Sequence, residues 1–299
     1  MTLRNLQIFV AVAECCNMTK AAEKLYVSQP SVSMAISDIE REYDITLFDR
    51  TAGKLILTQT GQHLLHYAKL ILNTEKEMEH FLHNESSNYC VSIGVTITIG
   101  SSIISPIIDE MRVEMPNVDY HVTVANTSII ENMLMEGNID IGLVEGEIKN
   151  PNLEIRPVIN DQLVLICSTK HPFSARDSIR ITELSKVPLI LREPNCGTRD
   201  HFEKVMHANN IDMTVRWSSY SYGAIVDAVR HNLGVGIISE KLAMKYAASG
   251  DLHICSITDS DLSRSFKLVY RKNKYITDVV LRFSEICGNS NYFDIDIRK

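Results

Sequence analysis

Three patterns in the sequence predict an α/β protein with an all-α-rich N-terminal domain. Apolar residues recur at helical spacing from the N-terminus to position 82. A turn signal at 51–54, flanked by two short apolar runs, interrupts this pattern. A polar break follows at 84–88, and beyond it short strands alternate with helices. Because βαβ alternation is typical of a mostly parallel sheet, we expect ligands at the carboxyl ends of its strands.

The composition is that of an ordinary globular protein with room for two domains. The 299 residues are 45% hydrophobic and 22% charged. The sequence has no run of about eighteen apolar residues, the length that predicts a membrane span. The stretch IFVAVA at 8–13 fits an amphipathic helix better than a signal peptide. We therefore expect a cytoplasmic protein that does not bind a membrane.

Neither the charge nor the cysteines indicate a partner by themselves. The net charge is −7, and the first sixty residues carry six Lys or Arg against seven Asp or Glu, so charge alone does not suggest DNA. The seven cysteines are scattered and form no C-x-x-C pair, which indicates reduced thiols and neither a disulfide framework nor a metal site. We expect no cofactor and no bound metal.

The first helix is predicted from an apolar stripe that would support the two helices after it. This stripe consists of Leu6, Phe9, Val10 and Ala13. The next helix begins near Thr19 and packs the small residues Ala21 and Ala22 together with Leu25. The turn at 26–28 then allows a steep crossing to a third helix, which ends near Tyr43.

The third helix has two faces of different character. A stripe that belongs against a core consists of Val32, Ile36, Ile39 and Tyr43. The opposite face presents the small or polar groups Pro30, Ser33, Ser37 and Arg41 together with Met34. Ser28 is a good N-cap, and the first turn offers free N–H groups that suit a phosphate. The pattern is that of a helix-turn-helix, although an ordinary pair of packed helices would give the same spacing.

A two-stranded wing is predicted after the third helix. Leu47 and Phe48 read as core residues, and the turn at 51–54 joins two short apolar runs. The basic residues of this region occupy a helix start, an exposed helix face and the two sides of the turn. They are Lys20, Arg41, Arg50 and Lys54. We interpret them as phosphate contacts, whereas sequence specificity would come from the polar helix face.

A long helix is predicted from Thr58 onward. Its heptad seam consists of Leu64, Ala68, Ile71, Glu75, Met78 and Leu82. We favour a dimerising helix over a helix lying on a globular surface, because a helix-turn-helix usually works in pairs. His63, His66, His80 and His83 form two i, i+3 pairs separated by 17 residues, so a solvated face explains them better than a metal site.

These N-terminal segments resemble the winged helix-turn-helix of the LysR-type transcriptional regulators. The resemblance is carried by TKAAEKL, SQPSVSMAISDIE, LFDR and LTQTG, in the family's order and at matching intervals, and in weaker form it extends over nearly the whole chain. Met34, Tyr43-Asp44 and Cys15-Cys16 depart from the residues usual in the family. The resemblance implies double-stranded promoter DNA as a partner, homotetramers built as dimers of dimers, and contact with RNA polymerase. The DNA-contacting residues that it implies are Thr19, Lys20, Ser28, Gln29, Pro30, Ser31, Ser33, Met34, Ser37, Arg41, Arg50 and Lys54.

The same resemblance sets the predicted domains. We expect a winged helix-turn-helix at 1–58, a dimerising linker helix at 59–87 and an effector-binding domain at 88–299. The family implies that this last domain has two α/β lobes joined by crossing strands, like a periplasmic solute-binding protein. Lobe I would comprise about 90–162 plus 266–288, and lobe II about 163–265.

Local patterns predict the elements of these lobes. For lobe I they are strands at 90–96, 118–125 and 139–144, a helix at about 101–114 and a helix from 128. Ser128 and Glu131 would form a capping box for the last of these helices. A similar set runs from Leu163 to about Cys255, followed by a strand at 266–270 and a helix at about 275–287.

Four polar pieces, each at a predicted strand end, are candidates for an effector site. They offer hydroxyls and free N–H groups before helices, and the loop at 195–199 resembles the family's effector loop with Cys196 in its serine position. The candidates are Thr96, Thr98, Ser101, Asn126, Thr127, Cys196, Gly197, Thr198 and Tyr222. Helix capping alone would explain each piece, but four convergent pieces favour a cleft for a small, anionic effector. Cys196, at a helix start beside Arg199, could instead be a redox sensor with a lowered pKa.

The sequence is compatible with two functions. The sequence has no Ser-His-Asp, HExxH, P-loop or paired-carboxylate pattern, so we expect no enzyme. One function is a transcription regulator whose effector changes the geometry of a homo-oligomer. The other is a cytoplasmic solute-binding or enzymatic α/β protein whose N-terminal helices only dimerise. A bulky acid at Ser33 or Ser37 discriminates between them, because it would abolish activity only if that helix face reads DNA.

Overall fold

The computed structural model describes residues 1–51, 54–83, 89–248, 250–272 and 274–288. The chain divides into two compact units, which we call the N-terminal unit (Met1–Asn88 with Met135–Asn138) and the C-terminal unit (Tyr89–Leu134 with Ile139–Lys299). Among the described residues, no helix combines the length and the apolar character that crossing a membrane requires.

The N-terminal unit contains four helices and a two-stranded sheet within the described residues. Its elements are α1 (Leu3–Cys15), α2 (Met18–Leu25), α3 (Gln29–Tyr43), β1 (Phe48–Thr51), β2 (Lys54–Leu57) and α4 (Gln59–His83). Strands β1 and β2 are antiparallel, as the wing prediction requires. Thr2, Asn17 and Ser28 cap the three short helices with side-chain oxygens, and each helix ends at a residue in the left-handed conformation.

The core of this unit lies where the first three helices meet. Phe9 and Leu47 are fully buried, as are Val32 and Ile39 of the predicted α3 stripe. Tyr43, which was expected on the same stripe, is instead 49% exposed, because α3 ends there and the chain changes direction at Asp44, its left-handed C-cap.

A hydroxyl and a glycine explain the sequence LTQTG at the start of α4. The Thr58 hydroxyl donates to the Thr46 carbonyl (2.7 Å) and accepts from the Gly61 N–H (2.9 Å), which caps the helix. A Cβ at Gly61 would lie 2.3 Å from the Leu47 carbonyl oxygen. Only glycine lets α4 begin this close to the Leu47 backbone.

Helix α4 buries only the beginning of its predicted seam within the single chain. Ala68 is fully buried and Leu64 is half-buried, whereas Ile71, Met78 and Leu82 are exposed. His63 is exposed and His66 half-buried, while the side chains of His80 and His83 lie outside the described residues. The predicted polar break at 84–88 also lies outside them.

The C-terminal unit alternates strands and helices. Its first elements are β3 (Tyr89–Val95), α5 (Ile97–Ser102), α6 (Ile104–Glu114), β4 (Val118–Val124), α7 (Thr127–Met135), β5 (Ile141–Val144) and the long β6 (Leu153–Ser168). After it come β7 (Ser178–Ile179), β8 (Pro188–Arg192), α8 (Gly197–Ala208), β9 (Thr214–Ser219), α9 (Tyr222–Arg230) and β10 (Val235–Ser239). The last elements are α10 (Glu240–Ala247), β11 (Leu252–Ile257), β12 (Ser263–Arg271) and α11 (Asp278–Gly288). Two 3₁₀ turns, Pro172–Ala175 and Ile181–Lys186, flank β7.

The strands pair in the order β4-β3-β5-β12-β6-β10-β8-β9, with β11 and β7 to the side. Strands β3, β4 and β5 are parallel to one another, and so are β8, β9 and β10. The two sets are joined by β6, whose first half pairs with β12 and whose second half pairs with β10 and β11. Separate apolar clusters form around each set, so the unit has two lobes. Strand β12 and helix α11 pack in the first lobe, with β3, β5 and α6.

Three local predictions differ from the structure. The helix expected at 101–114 begins at Ile97 and is divided at Ile103, so Thr98 and Ser101 lie inside α5 and not before it. Ser128 also lies inside its helix, and no capping box with Glu131 forms. The Glu131 carboxylate accepts instead from the backbone N–H of Asn150 (2.6 Å).

Candidate functional site

The outward face of α3 is open and polar. Gln29, Pro30, Ser31 and Ser37 are exposed, Ser33 is half-buried and Met34 is 65% exposed. The Ser28 hydroxyl accepts from the Ser31 N–H, and the two serine hydroxyls lie 2.7 Å apart. These groups are small, and most of their hydrogen-bonding capacity faces solvent. Such a face can approach the base edges of a groove closely.

The basic residues predicted to contact phosphate are only partly described. Thr19 and Lys20 are exposed at the start of α2. Arg41 is exposed and pairs with Asp38 at 2.6 Å, one helical turn away. The backbones of Arg50 and Lys54 lie in β1 and β2, and their side chains lie outside the described residues.

Sequence reasoning missed one exposed aromatic residue in this region. Tyr26 is 96% exposed and adopts the left-handed conformation at the C-cap of α2, between the two helices of the motif. The signal was available, because an aromatic residue in a turn beside a polar recognition face has no core to enter. Tyr26 therefore joins the candidate DNA-contacting residues.

In the C-terminal unit, the predicted hydroxyls meet in a buried chain of hydrogen bonds at the strand ends. Thr96 and Thr98 both donate to the Glu145 carboxylate, the second at 2.7 Å. The Tyr222 hydroxyl lies 2.8 Å from the Thr98 oxygen and 3.3 Å from that of Thr198. Because Thr98 has one proton and gives it to Glu145, Tyr222 must donate to Thr98.

The buried side chain of Arg264 forms the other end of this series of hydrogen bonds. Arg264 Nη1 donates to the Thr198 hydroxyl at 3.0 Å, and Nε donates to Asp161 at 2.8 Å. The register of β12 on β6 places Arg264 directly opposite Asp161. Asp161 also accepts from the Ser239 hydroxyl at 2.6 Å. Each group in the series therefore donates a hydrogen bond to the next, from Arg264 through the hydroxyls of Thr198, Tyr222 and Thr98 to the Glu145 carboxylate.

A second buried arginine lies beside the chain. Arg192 is 1% exposed, makes a two-pronged ion pair with Glu193 at 2.8 Å, and lies with its guanidinium carbon 4.4 Å from the Tyr222 ring centroid. Among the described residues, Nη1 of Arg192 and Nη2 of Arg264 are buried without a hydrogen-bond partner. A buried charged donor without a partner is costly, so both atoms suit an acceptor supplied by a ligand.

Two glycines let the helix starts of the two lobes approach closely. A Cβ at Gly197, the first residue of α8, would lie 2.9 Å from the Gly146 Cα. A Cβ at Gly146 would lie 2.2 Å from the Thr127 hydroxyl oxygen at the start of α7. The loop after β5 is thus held between α7 and α8. A side chain at Gly146 or Gly197 would push these elements apart.

Two adjoining cavities of very different volume border the predicted effector residues. A cavity of about 10 Å³, roughly the room one water needs, is lined by Thr96, Asn126, Thr127, Cys196 and Gly197, among others. A cavity of about 680 Å³ adjoins it and shares Thr127, Glu145, Asn195 and Gly197. The residues that line only the larger cavity are Ser128, Glu131, Gly146, Glu147, Lys149, Asp200, His201, Lys204, Ser263, Arg264, Ser265 and Lys267.

The predicted effector residues therefore separate into three groups. Thr98, Thr198 and Tyr222 lie within the hydrogen-bonded chain, and Thr96, Asn126, Thr127, Cys196 and Gly197 border the cavities. Ser101 borders neither cavity, and its carbonyl accepts from Lys245. Glu145, Arg192 and Arg264 were missed because the sequence pattern marks them only as residues in or beside buried strands.

The structure contradicts a low-pKa thiol at Cys196. The thiol is buried, and this burial raises its pKa, with Glu145 and Glu193 adding to the effect against the opposing Arg192. Arg199, the expected activating cation, points elsewhere and donates to Glu203 at 2.6 Å and to the Arg192 carbonyl. Cys196 is the N-cap of α8 without a side-chain capping bond.

Each of the two units matches a known protein family. Residues 3–62 match the family described as bacterial regulatory helix-turn-helix protein, lysR family. Residues 85–291 match the LysR substrate binding domain.

Relatives and solved structures agree with these matches. The HTH-type transcriptional regulator CysL of Bacillus subtilis (strain 168) is 29% identical, over 93% of this chain and 95% of its own length. The HTH-type transcriptional activator CmpR of Synechocystis sp. is 27% identical, over 94% and 93%. A full-length OxyR variant from Pseudomonas aeruginosa superimposes with a TM-score of 0.75 at 20% identity, covering 97% of this chain and 95% of that one. CbnR complexed with its target DNA gives a TM-score of 0.67 at 19% identity, over 96% and 99%.

Proposed function

This chain belongs to the LysR family of transcriptional regulators, and we propose that it responds to a small anionic effector bound in the 680 Å³ cavity of its C-terminal unit. As a member of that family it is a DNA-binding regulator with an effector-binding domain, which sets aside the solute-binding alternative. The proposal concerns the chemistry of the effector and the residues that hold it.

The observation that carries this proposal is the free donor of Arg264. Its guanidinium borders the cavity, is 6% exposed and leaves Nη2 without a partner among the described residues, while Nε and Nη1 are bound to Asp161 and Thr198. A carboxylate, phosphate or sulfate group would supply the missing acceptor. Arginine favours such oxyanions because its donors form a planar fork.

The acidic residues around the cavity do not oppose an anion as strongly as their number suggests. Glu147 pairs with Lys204 at 3.1 Å, and Glu131 accepts from the backbone N–H of Asn150. Lys149 and Lys267 also border the cavity and add positive charge. Asp200 also borders the cavity, and burial raises the pKa of its carboxyl group.

The effector would act by favouring one arrangement of the lobes. Gly146 and Gly197 hold α7 and α8 together, and the hydroxyl chain from Arg264 to Glu145 links residues of both lobes. A ligand that binds Arg264 Nη2 stabilises whichever arrangement lets it reach that buried donor. Such differential binding is the only way a ligand can shift the equilibrium that the DNA-binding domains sense.

The protein would dimerise through α4. Ile71, Met78 and Leu82 are exposed in the single chain along the predicted seam, and a second copy of α4 would cover them. We propose a homotetramer made of two such dimers, acting in the cytoplasm without catalysing a reaction and contacting RNA polymerase at its promoters.

A ligand screen with a matched variant tests the effector proposal. The full chain is heated with a panel of small carboxylates, phosphates and sulfates, and anions that raise the melting temperature are then titrated by calorimetry. Arg264→Lys keeps the positive charge but removes the free donor, so we expect at least about tenfold weaker binding of the same anion.

Arg282→Lys is the control, because Arg282 also pairs with a carboxylate, Glu114, and does not border the cavity. It should leave the affinity unchanged. An anion that binds Arg264→Lys as tightly as the unchanged protein would place the effector elsewhere. A panel in which only cations or neutral compounds bind would contradict the proposed charge.

A further inference from the structure

A thiol, a carboxylate and an imidazole meet on the sheet of the first lobe, away from the residues that line the effector cavity. Cys90 lies on β3, and Asp119 and His121 lie on the neighbouring β4. Their ligand atoms, one from each side chain, all lie within 4.8 Å of one another. Among the described residues, no other group of three or more His, Cys, Asp or Glu side chains comes together in this way.

Strand geometry explains why these residues meet. Strands β3 and β4 are parallel with Cys90 directly opposite Asp119, and neighbouring strands are about 4.8 Å apart. His121 is two residues beyond Asp119, so both side chains point to the same face of the sheet. Val91 and Ile93 are buried on the other face, against α6 and α11. The three polar side chains are therefore kept on the exposed face.

The spacing suits a tetrahedral metal ion. Zinc lies about 2.3 Å from sulfur and about 2.0–2.1 Å from nitrogen or oxygen, so its ligand atoms are roughly 3.3–3.6 Å apart. His121 Nε2 and Asp119 Oδ2 are 3.1 Å apart, within hydrogen-bond distance, and the Cys90 sulfur lies within 4.8 Å of both ligand atoms. All three side chains are exposed, so small rotations about their side-chain bonds can complete the geometry.

We propose that Cys90, Asp119 and His121 form a binding site for one divalent transition-metal ion, with Zn²⁺ as the favoured ion and water as its fourth ligand. Thiolate and imidazole ligands select zinc-like ions over Mg²⁺ and Ca²⁺, which prefer sites made of oxygen atoms. Three protein ligands with one open position make a site that water or a further ligand can complete. The proposal does not depend on the identity of the effector, because it uses none of the cavity residues.

Cobalt is a suitable spectroscopic probe of this site. The full chain is stripped of metal with a chelator, kept reduced and titrated with Co²⁺, which gives a near-ultraviolet charge-transfer band only when a thiolate binds it. We expect one Co²⁺ per chain and a band that Zn²⁺ removes by competition. Cys90→Ser should abolish the band, and His121→Gln should weaken Co²⁺ binding at least about tenfold, since even outer-shell partners contribute that much.

Cys16→Ser is the matched control, because Cys16 is the other exposed thiol outside the site. It should leave the band and the affinity unchanged. A band that persists in Cys90→Ser, or the absence of any band at stoichiometric Co²⁺, would overturn the proposal.

A second measurement needs no variant. Zn²⁺ should slow the alkylation of Cys90 at least about tenfold, while the alkylation of Cys16 keeps its rate, as followed by mass spectrometry of the digested chain. Equal slowing of both thiols, or no slowing of either, would contradict a site at Cys90.

Discussion

The two hydroxyl-rich regions of this molecule differ in what surrounds them. Ser31 and Ser37 on the outward face of α3 are exposed, and the bonds at the two ends of that face are Ser28 to Ser31 and Arg41 to Asp38. Thr96, Thr98 and Thr198 in the C-terminal unit are buried and bonded to Glu145, Tyr222 or Arg264. Similar side chains thus serve an outside partner in one region and an internal network in the other.

Because of this difference, substitutions in the first region should affect DNA binding, and substitutions in the second should affect the stability of the fold. An exposed hydroxyl that makes no hydrogen bond within the protein contributes little to folding, so changing it should alter binding alone. A buried hydroxyl that loses its partner leaves a desolvated polar atom, which costs free energy of unfolding. Each region therefore has its own expected response to substitution.

The largest effect is expected from a carboxylate on the α3 face. Ser37→Glu places a negative charge on an exposed site that should face base edges and phosphates, so specific DNA affinity should fall about a hundredfold or more. The free energy of unfolding should change by less than about 0.5 kcal/mol, because the position is exposed. Gel-shift titration and urea unfolding measure the two quantities.

Ser256→Glu is the control, because it makes the same change at an exposed serine of the C-terminal unit. Its DNA affinity should match that of the unchanged protein. If Ser37→Glu bound DNA normally, the polar face of α3 would not be the reading surface.

The next effect tests the close approach between α7 and α8. Gly146→Ala puts a methyl group where a Cβ would lie 2.2 Å from the Thr127 hydroxyl, so we expect a loss of about 1–3 kcal/mol in the free energy of unfolding. Gly223→Ala is the control, since its Cβ would meet only the Ser221 hydroxyl at 3.5 Å. Equal stability of the two variants would show that the two helix starts are not held together.

How much of this fold could be predicted depended on whether a pattern is local. The helix-turn-helix was predictable because Val32, Ile36 and Ile39 repeat at helical spacing and Ser28 marks the start of α3. Tyr43 was placed wrongly, because periodicity continues to a helix end whether or not a core continues with it. The division of the expected 101–114 helix at Ile103 left no mark in the apolar pattern either.

The candidate effector site was predictable only in part, for a related reason. Hydroxyls before helices are local signals, and they correctly placed Thr96 between β3 and α5, whereas Thr127 is the first residue of α7. Arg264 meets Asp161 through the register of two strands about a hundred residues apart in sequence, and no local pattern encodes that register. The Cys90, Asp119 and His121 group depends on strand pairing in the same way.

A smaller effect is expected inside the buried hydroxyl chain. Tyr222→Phe removes the donor to Thr98 and an acceptor for Thr198, so the free energy of unfolding should fall by about 1–2 kcal/mol. Tyr220→Phe is the control, because the Tyr220 side chain is 70% exposed. If chemical denaturation found both variants equally stable, the hydroxyl chain would contribute nothing to folding.

The smallest effect concerns the thiol of Cys196. Because burial raises its pKa, mild peroxide should leave DNA binding unchanged, and alkylation near neutral pH should modify the exposed Cys16 before Cys196. Mass spectrometry of timed samples gives the order of modification. Oxidation of Cys196 before Cys16, together with a change in DNA binding, would restore the redox hypothesis.

Binding to the DNA just upstream of the chain's own gene tests the central claim most directly. Gel shifts of the purified full chain at two salt concentrations, with excess non-specific competitor, separate specific binding from charge attraction. A specific shift that weakens as salt rises is the predicted result, and it would provide the assay for effectors. A chain that shifts this DNA no better than the competitor would contradict regulation at that promoter by the α3 face.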